Sequence, residues 1–177
     1  CRYVGIKEEQ IKEAILSFKG LPHRLELVAS CDIAGNQLRI INDSKATNDA
    51  AAARALSSFQ QIFWCAGGLA KESGLPNCIK ELRQVKHAYL YGNSKTLFHS
   101  ELSDLVPTTL TESLEEATCK AFVAAKNSSL QTGVDSFVLL SPAASSFDTF
   151  ANFEERGKQF TDLAKKLCQQ QPSSVEV

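Results

Sequence analysis

Four short stretches hold residues whose types and order suit the handling of anions. The first is Asn42-Asp43-Ser44-Lys45-Ala46-Thr47-Asn48. Lys45 offers a mobile positive charge, and Asp43 can orient a cation or a sugar hydroxyl. Thr47 or Asn48 suits the cap of a following helix, whose free N–H groups can take a carboxylate or phosphate oxygen. In the second, Ala66-Gly67-Gly68-Leu69-Ala70-Lys71-Glu72, paired glycines admit a ligand or another backbone at close range, with Lys71 to follow. The third, Ser141-Pro142-Ala143-Ala144-Ser145-Ser146-Phe147-Asp148, enters a helix capped by Ser145 or Ser146. The fourth, Leu21-Pro22-His23-Arg24, carries a guanidinium whose planar fork fits phosphate. Each has a plainer reading as a capped helix, a tight turn or a surface ion pair, and Phe153 reads as core. No Ser/His/Asp arrangement, HExxH, EF-hand loop, GxGxxG or GxxxxGKS/T occurs. The chain therefore reads as a grasper of anions without a nucleophile of its own.

The elements that must position these groups follow from periodicity. Residues 7–18 place Ile11, Ala14, Ile15 and Phe18 at helical spacing, ended by Gly20 and Pro22. Strands over 25–30 and 38–42 flank Ala34-Gly35-Asn36, a hairpin turn. Then come a helix over 48–59, a buried strand over 61–66, a helix near 77–84, a strand over 87–91 and a helix near 94–100. A short extended piece at 105–106 precedes a helix from Thr111 or Ser113 to about Lys126. A buried strand over 136–140 and a long helix over 147–168 complete the pattern. The alternation predicts an α/β, Rossmann-like fold: a mostly parallel sheet, helices on both faces, and an N-terminal β-hairpin. In such sheets ligands bind beyond the carboxyl ends of the strands, where three of the four stretches fall.

Composition sets the bounds. The 177 residues, 44% hydrophobic, suffice for one full domain. Lys+Arg 19 against Asp+Glu 20 leaves a net charge of −1, no electrostatic case for nucleic acid or an anionic membrane. No apolar run approaches a membrane span, and Arg2, Lys7, Glu8 and Glu9 interrupt any signal-peptide core. The six cysteines form no CxxC pair and the three histidines keep no zinc-site spacing to them, so free thiols in a cytoplasmic protein, with no metal, are expected. The absence of methionine suggests a processed chain or a piece of a longer one.

Taken in order, LPHRLE at 21–26, INDSKATN at 41–48, the Gly-Gly-x-x-Lys loop at 67–71 and SPAASSFDTFANFEERG at 141–157 resemble the C-terminal domain of the Mur ligases, most of all the D-glutamate-adding branch. The resemblance covers about residues 5–168. It implies that 1–19 are the last helix of a preceding central ATPase domain, 20–168 the glutamate-binding domain and 169–177 a polar tail. It implies an ATP-dependent ligase of peptidoglycan precursor synthesis, with ATP and Mg2+ mostly held by the central domain. The substrates would be D-glutamate and UDP-N-acetylmuramoyl-L-alanine, joined through an acyl phosphate. Arg24, Asp43 and Lys45 would approach the nucleotide, Asp43 at the ribose and the two cations toward the phosphates. Thr47, Lys71, Ser146, Phe147 and Phe153 would surround D-glutamate, the Phe147 contact being largely backbone, and His23 would order its neighbours. A monomer is expected, and without a P-loop the chain alone is expected to be inactive. The rivals are another ligase of the superfamily, such as a folylpolyglutamate synthase, and a non-catalytic α/β binding module.

Overall fold

Ala34 and Gly35 take φ of 53° and 87°, the backbone of a two-residue hairpin turn. They join β1 (Glu26–Ile33) antiparallel to β2 (Asn36–Asn42). The computed structural model describes residues 4–18, 20–71 and 74–171. Before the hairpin stands α1 (Glu8–Ser17), and after it α2 (Asp49–Leu56), β3 (Ile62–Gly67), a 3-10 helix (Cys78–Gln84), β4 (Val85–Tyr91) and α3 (Lys95–Leu102). Then follow β5 (Thr108–Leu110), α4 (Leu114–Thr132), β6 (Ser136–Leu140) and α5 (Phe153–Gln169). The sheet order is β1-β2-β6-β3-β4-β5, with every pair after the hairpin parallel.

Alternation along the strands splits the core into two layers, as expected of a sheet covered on both faces. Ile41, Ile62, Trp64, Leu90 and Leu139 pack toward α2, α3 and the 3-10 helix. Ile40, Phe63, Cys65, Val138 and Leu140 pack toward α4 and α5. The α/β, Rossmann-like expectation holds in class, hairpin and coverage.

Several boundaries differ from the expectation. The segment at 77–84 is a 3-10 helix, its start clasped by Asp49, whose carboxylate accepts the N–H groups of Asn77 and Cys78 (2.8 Å each). The extended piece lies at 108–110, where it pairs with β4, and not at 105–106. α4 runs to Thr132 and stops at Gly133, left-handed at φ 66°. The last helix starts at Phe153, and its cap is Asn152, which accepts the Glu155 N–H at 2.7 Å; Ser145 and Ser146 are not its cap. Glu155 in turn accepts the N–H of Ala151, the residue before the cap, at 2.8 Å. At the other end, α1 buries none of its residues, and Ile15, Leu16 and Phe18 are exposed.

Candidate functional site

Strand order brings three of the candidate stretches together. β2, β6 and β3 are neighbours, so the loops after Asn42, Gly67 and Leu140 share one edge of the sheet. Backbone bonds weld them: Asp43 N–H to Leu140 O (2.8 Å), Gly67 N–H to Pro142 O (3.0 Å), and a reciprocal pair between Leu69 and Ser145. The paired glycines make this possible. A Cβ on Gly67 would collide with the Tyr91 backbone, and one on Gly68 with the Ser145 carbonyl. Of the two readings open for the glycines, close approach of another backbone is the one observed.

The fourth stretch docks on the first. His23 and Leu25 take left-handed φ of 60° and 47°, a conformation costly for such residues. Three bonds hold them there: His23 N–H to Glu26 (2.8 Å), Leu25 N–H to Asp43 Oδ1 (3.2 Å) and Lys45 N–H to His23 O (3.1 Å). Asp43 also accepts the Ser141 hydroxyl at 2.9 Å and is only 7% exposed. Burial dominates its environment and pushes its carboxyl up to about 6, against the pull of Ser141, Leu25 and the Arg24 charge. Arg24, Asp43, Lys45 and Arg54 line one cleft of about 210 Å³, its floor made small by Ala46, Ala51 and Ala55. A larger hollow of about 480 Å³ between the start of α4 and α5 mixes charges of both signs and includes none of the candidate ligand groups.

Lys45 extends over Phe153, its Nζ 3.7 Å from the ring centroid, a cation–π contact. The His23 ring meets the same phenyl edge-on at 6.1 Å. The structure thus joins a residue expected near phosphates to one expected near the amino acid. Ser146 is buried on the loop after β6, Thr47 is half-buried beside Lys45, and Lys71 is exposed beyond β3. Their side chains make no hydrogen bond to each other among the described residues. Phe147 is 70% exposed and stands out from this edge.

Sequence reasoning missed the group beneath these loops. Arg156 of α5 is fully buried and touches all three. Its Nε donates to Ser44 Oγ (3.0 Å), Nη2 to Ser44 O (2.9 Å), and Nη1 to Ala144 O (3.1 Å), with Gly67 O at 3.4 Å. Asn42, also fully buried, donates to Gly157 O (2.9 Å) and Thr161 Oγ1 (3.0 Å) and accepts the Ser44 N–H (3.0 Å). Gly157 is required because the His23 ring occupies the place of any Cβ. The signal was present: Arg156 shares the inward stripe of Phe153, Phe160 and Ala164, where a charge is out of place. Arg54 gave no such signal.

The chain is an α/β domain with a cation-lined cleft at the strand-end edge of its sheet. No family model matches the chain. It is similar to proteins named UDP-N-acetylmuramoylalanine–D-glutamate ligase. That of Rickettsia felis is 34% identical over 96% of this chain, that of Phenylobacterium zucineum 39% over 99%, and that of Rhodospirillum rubrum 41% over 95%. The chain spans about a third of their length (36%, 36% and 34%). Over that third the chain resembles the C-terminal domain of these ligases. Two solved structures share its fold at 14% identity. The Thermotoga maritima UDP-N-acetylmuramate-alanine ligase has a TM-score of 0.57 over 93% of this chain and 35% of its own. The Mycobacterium tuberculosis folylpolyglutamate synthase has 0.53 over 96% and 37%.

Proposed function

We propose that this chain acts as the C-terminal domain of a cytoplasmic, ATP-dependent ligase that adds D-glutamate to UDP-N-acetylmuramoyl-L-alanine in peptidoglycan precursor synthesis. The observation that carries the reading is identity of 34–41% to ligases of that name across nearly the whole chain. The folylpolyglutamate synthase shares only the fold, at 14% identity, and does not outweigh it. Residues 1–19 belong in this reading to the preceding ATPase domain, which fits an α1 with exposed apolar residues.

The cleft fits a nucleotide's outer groups in charge and size. Arg24 and Lys45 offer cations to phosphate oxygens, and Arg54 stands on the same wall. Asp43 already accepts two hydrogen bonds, and its oxygens retain lone pairs for a ribose hydroxyl. Among the described residues no three His, Cys, Asp or Glu side chains converge, and Mg2+ is assigned to no residue here. When bound, ATP supplies the phosphoryl group that activates the substrate carboxylate. Thr47, Lys71 and Ser146 hold the carboxylate of the incoming D-glutamate, and Phe153, by fixing Lys45, keeps the two sites in register. Orientation and charge placement are what amide formation asks of a domain without a nucleophile.

The test is an amide-forming assay with ATP, D-glutamate and the UDP-sugar substrate. The complete enzyme containing this chain should turn over, and the 177-residue chain alone should not. Lys45→Ala in the complete enzyme should cut turnover at least about tenfold. Turnover by the chain alone, or near-normal turnover in the variant, contradicts the reading.

A further inference from the structure

β1 is the outer strand of the sheet, paired along one edge by β2 and covered on one face by α5. Cys31 lies in the middle of β1, opposite Leu38, and Cys168 in the last turn of α5. Their sulfurs stand 2.9 Å apart, closer than van der Waals contact and approaching the about 2.0 Å of a formed disulfide. Both side chains are half-buried, so a small reagent can reach them. The remaining described cysteines differ. Cys65 and Cys78 are fully buried, Cys119 is half-buried, and none makes a sulfur–sulfur contact among the described residues.

We propose that Cys31 and Cys168 form an oxidisable dithiol, closed to a disulfide by low-molecular-weight disulfides of the glutathione class and stapling the hairpin to the last helix. The Cys31 thiolate attacks one sulfur of the oxidant, breaking its S–S bond, releasing one small thiol and leaving a mixed disulfide. Cys168 then gives its proton to solvent and attacks Cys31 Sγ, expelling the second small thiol. Two electrons and two protons pass from the protein pair to the oxidant. Cys31 is the initiating sulfur. Burial, with a smaller push from the Asp32 charge, raises its thiol, but the contact from Cys168 and the Lys126 charge of α4 oppose the rise, whereas burial and Cys31 itself push Cys168 up more strongly. With both thiols raised, closure is slow in a reducing compartment and responds to oxidant exposure. The staple spans 137 positions of chain, a large constraint on the unfolded state.

The test exposes the native chain to graded ratios of oxidised to reduced glutathione at mildly alkaline pH, followed by alkylation and peptide mapping without reduction. A Cys31–Cys168 cross-linked peptide, two hydrogens lighter than its reduced parts, is expected before any other cysteine reacts. In Cys168→Ser, Cys31 should keep glutathione as a mixed disulfide that the wild type resolves. The oxidised wild type should melt higher than the reduced form by on the order of 5–10 °C. Cys31 and Cys168 recovered as separate alkylated or glutathionylated peptides, a dominant cross-link to another cysteine, or no rise in melting temperature overturns the proposal.

Discussion

Arg156 carries a full charge where no water reaches, and it faces oxygens of the peptide backbone and one hydroxyl. Such a group is tolerated because its fork matches several acceptors at once. Removing it leaves those acceptors unsatisfied. Arg156→Met should cost about 3–5 kcal/mol in urea unfolding. Arg156→Lys should recover only part, since an ammonium cannot span three loops. Asp43 makes a prediction of opposite sign to the usual acid. Its folded-state value of about 6 lies above the 3.8 of an exposed carboxyl. Between about pH 4 and 6 the folded chain keeps a proton that the unfolded chain has lost. The group's contribution therefore favours folding below that window and is lost as pH rises through it, by about 2–3 kcal/mol. The stability of Asp43→Asn relative to wild type should rise by that amount from about pH 4 to pH 7. A flat difference across that range contradicts the assignment.

At the scale of elements, helix starts decide where the candidate residues stand. Ser145-x-x-Asp148 and Asn152-x-x-Glu155 both offer capping spacing within one stretch. The second prevails as the start of α5, and the first becomes a turn closed by Thr149 and Phe150 N–H groups on Ser146 O. This leaves Ser146 on a loop at the strand edge and frees Phe147 to point outward. Asn152→Ala should cost about 1 kcal/mol and speed amide exchange over residues 154–156. Ser146→Ala should leave exchange there unchanged. α2 shows the same choice: Asn48 accepts the Ala51 N–H at 3.0 Å, settling the alternative with Thr47.

At the scale of the whole molecule, the strand-end edge is open. Arg24 and Lys71 are exposed, and the cleft beside them is about 210 Å³, small against the 300–1,000 Å³ typical of ligand sites. Under the proposed function a second domain closes over this edge. Calorimetric titration of the isolated chain with D-glutamate should therefore show weak or unmeasurable binding. A micromolar dissociation constant would contradict the need for closure.

The sequence by itself determined the class and most of the elements, though not all their bounds, because side-chain periodicity and turn residues are local properties. Loops after buried strands, where polar groups stay accessible, also marked Asp43, Lys45, Thr47, Lys71 and Ser146 as candidates, while Arg24 was marked by its planar fork and Phe147 and Phe153 entered through the family resemblance. Only the tertiary structure decided what these residues touch. Strand order set β6 between β2 and β3, which joined loops about a hundred residues apart and placed Arg156 beneath them. It also put Lys45 on Phe153 and Cys31 against Cys168. Contacts between residues distant in sequence depend on the path of the whole chain, and no local pattern records that path.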